Sequence, residues 1–253
     1  MDVERDRGRY HSSASGLTVV AHFFGILATI LMLVWLLHYR EGLDLDSDDA
    51  RRVFNVHPFL MFFGFIFMAG EAMMAYKTVK AEWQVRKFVH LFFHLVAMVL
   101  GIVGLHAAFK YHDQVGLTDM YSLHSWIGIG TFTLFCAQVC IYLSIYDSLF
   151  TSFLHRTRVK LVYSLWQWLV GLAVFLPRSS PSHSKAMIAP WHVNGGQALL
   201  FMAIATALTG LMEKATLMRL QHQNEGRLIN FLALCILLFG ISVNFSVSLA
   251  RYA

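Results

Sequence analysis

FNVHPFLMFFGFIFMAGEAMMAYK, residues 54–77, decides the fold. A histidine and a proline open the stretch, residues 58–76 are apolar apart from Glu71, and Lys77 closes it. About 20 such residues in a helix span the hydrocarbon of a bilayer. The pattern recurs near 17–38, 88–109, 123–146, 190–212 and 228–250, while a shorter apolar stretch at 161–176 is the one irregular case. With 57% hydrophobic residues, 14% charged residues and a mean hydropathy of +0.56, a chain of 253 residues is too apolar for a soluble core. The fold class expected is all-α, an integral membrane bundle of six transmembrane helices. The N-terminus, MDVERDRGRYHSSASG, lacks a basic region joined to a short apolar run and a cleavage site, so the first span is expected to stay as an anchor.

Four histidines stand where spans begin: His57 in FNVHP, His90 in KFVH, His124 in YSLHSW and His192 in PWH. Successive antiparallel helices start on alternate faces, so His57 pairs with His124 and His90 with His192. Two imidazoles from different helices at each face suit two b-type haems with paired axial ligands. The competing reading is that each histidine anchors a helix end at the interface. Zinc fits less well, because it asks for three or four ligands at one centre. His94, one turn after His90, reads as a further ligand, a hydrogen-bond donor behind the ligand or a packed polar group. His22, near the start of the first span, reads by default as an interface residue.

The loops set the orientation. YREGLDLDSDDARR, residues 39–52, carries five acids against three arginines, and YHDQVGLTDMYS, residues 111–122, has two Asp and no Lys or Arg. KTVKAEWQVRK, residues 77–87, has four basic residues and one acid, and residues 177–190 contribute Arg178 and Lys185. By the positive-inside rule the second pair of loops is cytosolic, with both termini, His90 and His192. The net charge of +5 is dispersed over loops, which excludes nucleic acid as a partner. Cys136, Cys140 and Cys235 all lie in apolar segments without a CxxCH, so any haem is held non-covalently.

In this order the strings FNVHPFLMFFGFIFMAGEAMMAYK, KFVHLFFHLVAMVLGIVGLHAAFKYH, YSLHSWIG and APWHV resemble the cytochrome b561 family, across roughly residues 17–250. The resemblance implies four central helices holding two b haems, with electrons taken from cytosolic ascorbate and passed to monodehydroascorbate or ferric chelates on the far side. It assigns the haem irons to His57 with His124 and to His90 with His192. Substrate contacts fall to Lys87, three residues before His90, to Lys185, seven before His192, and to His112 on the far face. An ordinary basic interface girdle is the alternative for both lysines. Glu71 also matches the family string, with a structural or a proton-linked role. The membrane implied is an endomembrane, vacuolar or similar, or the plasma membrane, and a homodimer stays open as an assembly.

The resemblance breaks once. TLFCAQ stops at Gln138 and WLVGLAVFLP resumes at Trp168, so residues 139–167 read as an insertion in a single domain covering 1–253. Removing them joins 124–138 to 168–176 at span length. If 123–146 crosses the membrane and 161–176 crosses back, His192 moves to the far face and the cytosolic haem is lost. Two rival functions follow: a haem-deficient inactive isoform, and a transporter using His and Glu71 for protons or metal ions. Val139 and Gln167 are compatible with the borders of a retained in-frame intron. Sequencing the gene beside its transcripts checks this, and an uninterrupted exon across 139–167 ends the idea.

Overall fold

The computed structural model describes residues 2–144 and 182–250, except for the side chains of 2–13, 137, 139–144 and 182–188. Among the described residues every regular element is helical. In chain order they are α1 (Asp2–Val34, continued by a π-helical turn Trp35–Tyr39), α2 (Ala50–Phe59), a π-helical stretch Leu60–Phe67, α3 (Met68–Thr78), α4 (Trp83–Val115), α5 (Leu123–Ser144), α6 (Ser182–Leu217) and α7 (Asn224–Leu249). Five described segments are long and apolar enough to cross a membrane: Ala14–Tyr39, Ala50–Thr78, Trp83–Val115, Ala189–Leu217 and Asn224–Leu249. Leu123–Cys136 is a shorter apolar helix. These five and the shorter helix fall at the six positions expected and are consistent with a six-helix membrane bundle. The expected insertion at 139–167 lies outside the described residues from 145 onward; up to Ser144, α5 runs on without a break.

The chain forms two compact units, residues 1–128 with 200–253, and residues 129–199. In the first, α1 packs along α7, and the α2–α3 rod packs along α4. Lipid tails are as apolar as leucine, so helices in a bilayer associate through close fit and polar contacts rather than through water exclusion. The α1 seam shows how. Ala14, Thr18, Ala21, Gly25, Ala28, Met32 and Trp35 recur at three- and four-residue spacing and are all buried. Val19, Phe23, Ile26 and Ile30 on the opposite side are exposed, as a lipid-facing surface requires. The matching seam of α7 is Ile229, Leu232, Ile236, Phe239, Val243 and Ser246. Thr18 Oγ1 meets Ser246 Oγ near one end of the seam. At the other end Glu225 Oε1 accepts from Trp35 Nε1 at 2.8 Å and from the Arg40 guanidinium.

The α2–α3 rod is irregular where function is expected. Asp49 caps α2 by accepting the Arg51 N–H at 2.9 Å. The Arg51 hydrogen bonds hold the Asp49 carboxyl below its usual range. Asn55, buried, donates to the carbonyls of Arg40 (2.8 Å) and Gly42 (2.7 Å), tying the preceding loop to the rod. Pro58 has no N–H to offer the previous turn, and the π-helical stretch begins two residues later. Gly64 lets this stretch lie against α4, since a Cβ there would stand 2.4 Å from Leu100 Cβ.

Glu225→Ala strands the Arg40 charge and is expected to cost on the order of 2 kcal/mol, read as a lowered Tm in detergent. Asp46→Ala, removing the 95% exposed partner of Lys110, is expected to leave Tm unchanged.

Candidate functional site

His57 comes from the last turns of α2 and His124 from the first turn of α5, and their ring centroids are 5.9 Å apart with planes at 87°. His57 Nδ1 donates to the carbonyl of Gly104 on α4 at 2.9 Å, and His124 Nδ1 donates to the carbonyl of Thr206 on α6 at 2.8 Å. A carbonyl oxygen only accepts, so both imidazoles carry their proton on Nδ1 and present the Nε2 lone pair to a metal. Two metal–nitrogen bonds of about 2 Å each, plus half a ring on either side, make roughly the observed separation. The pair therefore fits one iron held between two helices.

Glycine makes the room. A Cβ on Gly210, one turn after Thr206, would stand 2.6 Å from His124 Cε1, so the ring lies directly on the α6 backbone. A Cβ on Gly104 would stand 3.0 Å from Met61 Sδ and 3.3 Å from Leu60 Cβ, where the rod crosses α4 beside His57.

His90, on α4, donates from Nδ1 to the carbonyl of Ala72 on α3 at 2.7 Å, which gives it the same tautomer. Its ring lies 4.6 Å from that of His94 and 5.4 Å from Tyr76, centroid to centroid, so His94 packs against the candidate ligand. His57 and Ala72 are 15 positions apart on one rod, and His90 and Gly104 are 14 apart on its neighbour. Each rod thus supplies a histidine at one end and a carbonyl at the other. The two sites are separated by about 21 Å at 1.5 Å per residue.

His192 belongs to the second unit and is described there by itself. Its carbonyl accepts from Gln138 Nε2 at 2.8 Å, and the same amide nitrogen lies 3.5 Å from its Nδ1. Gly195 and Gly196 leave space for the Gln138 side chain against α6.

Around the His57 end a polar and aromatic rim collects. The Phe54 ring lies 6.0 Å from His57 and 4.9 Å from Tyr111, and Lys214 Nζ sits 4.0 Å from the Phe54 centroid. His112 Nδ1 is 2.7 Å from Asp119 Oδ1; Gly116, at φ +69°, ends α4 just beyond it. Tyr121 donates to Glu213 Oε1 at 2.9 Å. Burial, then that bond, raises the Tyr121 phenol, which stays protonated at neutral pH. At the His90 end Lys87 Nζ lies 5.2 Å from the Trp83 ring. Lys185 is in the first turn of α6, and its side chain is outside the described residues.

Sequence reasoning missed three features. Lys214, whose Nζ lies over the Phe54 ring, carries no motif that sequence reasoning singles out. The carbonyl acceptors at Gly104, Thr206 and Ala72 have no side-chain signature. His22, expected at the interface, instead has Nε2 3.0 Å from Glu71 Oε2; two polar residues inside apolar spans were the available signal.

Membrane-long helices that hold imidazoles by their Nδ1 atoms, two of them with ring centroids 5.9 Å apart, fit a helical membrane haem protein of the electron-transfer class. The chain belongs to the eukaryotic cytochrome b561 family, whose family model matches residues 56–161 and 158–218. It is 37% identical over 236 residues to a probable ascorbate-specific transmembrane electron transporter 1 of Oryza sativa subsp. japonica, covering 91% of this chain and 88% of that one. To transmembrane ascorbate ferrireductase 1 of Arabidopsis thaliana it is 34% identical over 240 residues (93% and 88%). To a transmembrane ascorbate-dependent reductase of Sus scrofa it is 34% identical over 247 residues (95% and 81%).

Gly210→Ala is expected to push His124 off its carbonyl and lower the haem retained per chain, measured by haemochrome assay. Gly16→Ala, where a Cβ meets nothing within 4 Å, is the control expected to keep it.

Proposed function

We propose that this protein carries electrons across its membrane from cytosolic ascorbate to monodehydroascorbate or a ferric chelate on the opposite side. The path runs through two b haems, one held by His90 and His192 and the other by His57 and His124. The observation that carries this reading is the His57–His124 pair: two imidazoles 5.9 Å apart, each fixed by a backbone carbonyl in the tautomer that ligates metal. A haem with both axial positions filled supplies a one-electron centre closed to oxygen. Relatives at 33–37% identity named for ascorbate-dependent electron transfer or ferric reduction support the same chemistry here.

The chain's own residues do the rest. Lys87 and Lys185 offer cations to an ascorbate monoanion, which docks by charge beside the His90 end. Carbonyl bonds keep His57, His90 and His124 from turning, so little rearrangement accompanies a change of iron charge. At the far end His112, oriented by Asp119, and Tyr121, held on Glu213, present hydrogen-bonding groups to the acceptor. The loop charges orient the chain with both termini in the cytosol, in an endomembrane or the plasma membrane.

Residues 139–167 act in this reading as an insertion in one family domain. The family match comes in two pieces, 56–161 and 158–218, that overlap within this range.

A reduced-minus-oxidised visible spectrum of the purified protein, with haem counted per chain, tests the proposal. Two haems reducible by ascorbate are expected. One haem favours the haem-deficient isoform, and none overturns the electron-carrier reading. Lys87→Gln is expected to raise the half-saturating ascorbate concentration about tenfold, one charge-assisted hydrogen bond of ~1.5 kcal/mol, with haem content unchanged.

A further inference from the structure

We propose that His22 and Glu71 form a proton-binding site inside the membrane, coupled through α3 to the centre held by His90. His22 Nε2 lies 3.0 Å from Glu71 Oε2, joining α1 to α3 within their spans. Glu71 is seven residues from the end of α3 at Thr78, and His90 is seven residues from the start of α4 at Trp83. Both are therefore about 10 Å inside the same end of their helices. A carboxylate and an imidazole at this depth are costly, and such groups mark proton or ion pathways. The second carboxyl oxygen, Glu71 Oε1, is buried without a hydrogen-bond partner among the described residues, so the site is not saturated by the fold. An unmet buried acceptor is uncommon and calls for an explanation beyond stapling α1 to α3.

The link to His90 is one peptide long. Glu71 precedes Ala72, whose carbonyl accepts the His90 Nδ1–H at 2.7 Å. The charge on the carboxyl thus sits one residue from the group that polarises the candidate ligand. Other ionisable groups around Glu71 are few. From α1 there is His22. From α4 there are His90 and His94, on the far side of α3. On α3 itself there is Lys77, a turn and a half on, whose Nζ is also buried without a hydrogen-bond partner among the described residues. The residues of α7 on this stretch, Phe239, Val243 and Ser246, do not ionise.

An electron arriving at the centre held by His90 adds negative charge across α3 from the carboxylate, and a proton taken up by the His22–Glu71 pair offsets it. The balance is complete with the donor already proposed. An enediol O–H of the ascorbate monoanion breaks, its proton goes to water, and its electron reduces the ferric centre. A proton from the same aqueous phase forms an O–H bond on Glu71. This inference rests on the haem reading above.

The test is a redox titration of the haem-loaded protein against pH. The midpoint associated with His90 is expected to fall as pH rises, toward 59 mV per unit, the tenfold step of a one-electron couple. In Glu71→Gln the slope is expected to vanish with haem content retained. An unchanged slope in Glu71→Gln overturns the inference alone; a chain that binds no haem removes the haem reading and the inference together. Should Glu71→Gln not fold, reduced-minus-oxidised infrared spectra of the unmodified protein decide. A protonated-carboxyl C=O band that grows on reduction and shifts in D2O supports the site, and its absence overturns it.

Discussion

Everything at the two candidate sites depends on a hydrogen bond from imidazole Nδ1–H to a helix carbonyl. His57, His124 and His90 each make it, to Gly104, Thr206 and Ala72. The bond chooses the tautomer, fixes the ring plane and places the lone pair on Nε2. It also shares an acceptor the helix already uses, so it asks nothing of the neighbouring side chain except that it be small. Gly104, Ala72 and the Gly210 beside Thr206 meet that condition. A Cβ at Gly210 would press on the His124 ring, and one at Gly104 on Met61 and Leu60 beside His57.

The same demand for closeness explains how the bundle holds together without water to drive it. In α1 the inner seam is mostly alanine, glycine and threonine, and its polar ends meet Ser246 and Glu225. The outer surface is branched and aromatic and faces lipid. Close backbone approach therefore serves packing at Gly64, and at Gly104 both packing and the orientation of His57.

Span positions and the alternation of histidines along the chain were legible because hydropathy and parity are properties of single segments. The motif FNVHP was legible as a site but not as a mechanism. Phe54 sits tilted against His57 at the rim, Asn55 ties down the loop, His57 ligates in the proposed reading, and Pro58 precedes the π-helical stretch. The acceptors were not legible, because every residue has a carbonyl and only the fold says which one faces an imidazole. Nor was the partnership of His22 and Glu71, which needs α1 to lie beside α3; polarity within a span reports a cost and not who meets it. The break in resemblance at 139–167 was visible in the sequence, and the insertion read there belongs to the proposal.

The register of two rods sets the span of the whole device. The α2–α3 rod gives His57 and takes His90 at Ala72, while α4 gives His90 and takes His57 at Gly104. Because the helices are antiparallel, sliding one past the other breaks both bonds together rather than trading one for the other. The distance between the sites is then fixed at 14 to 15 residues of helix, about 21 Å, which covers most of the ~30 Å hydrocarbon layer. Each centre is left within about 10 Å of its own helix ends, close enough for a water-soluble donor or acceptor to approach without entering the bilayer. A pair of helices locked at both ends thus holds His57 and His90 at opposite ends of one antiparallel pair, the spacing that the proposed two-centre path requires.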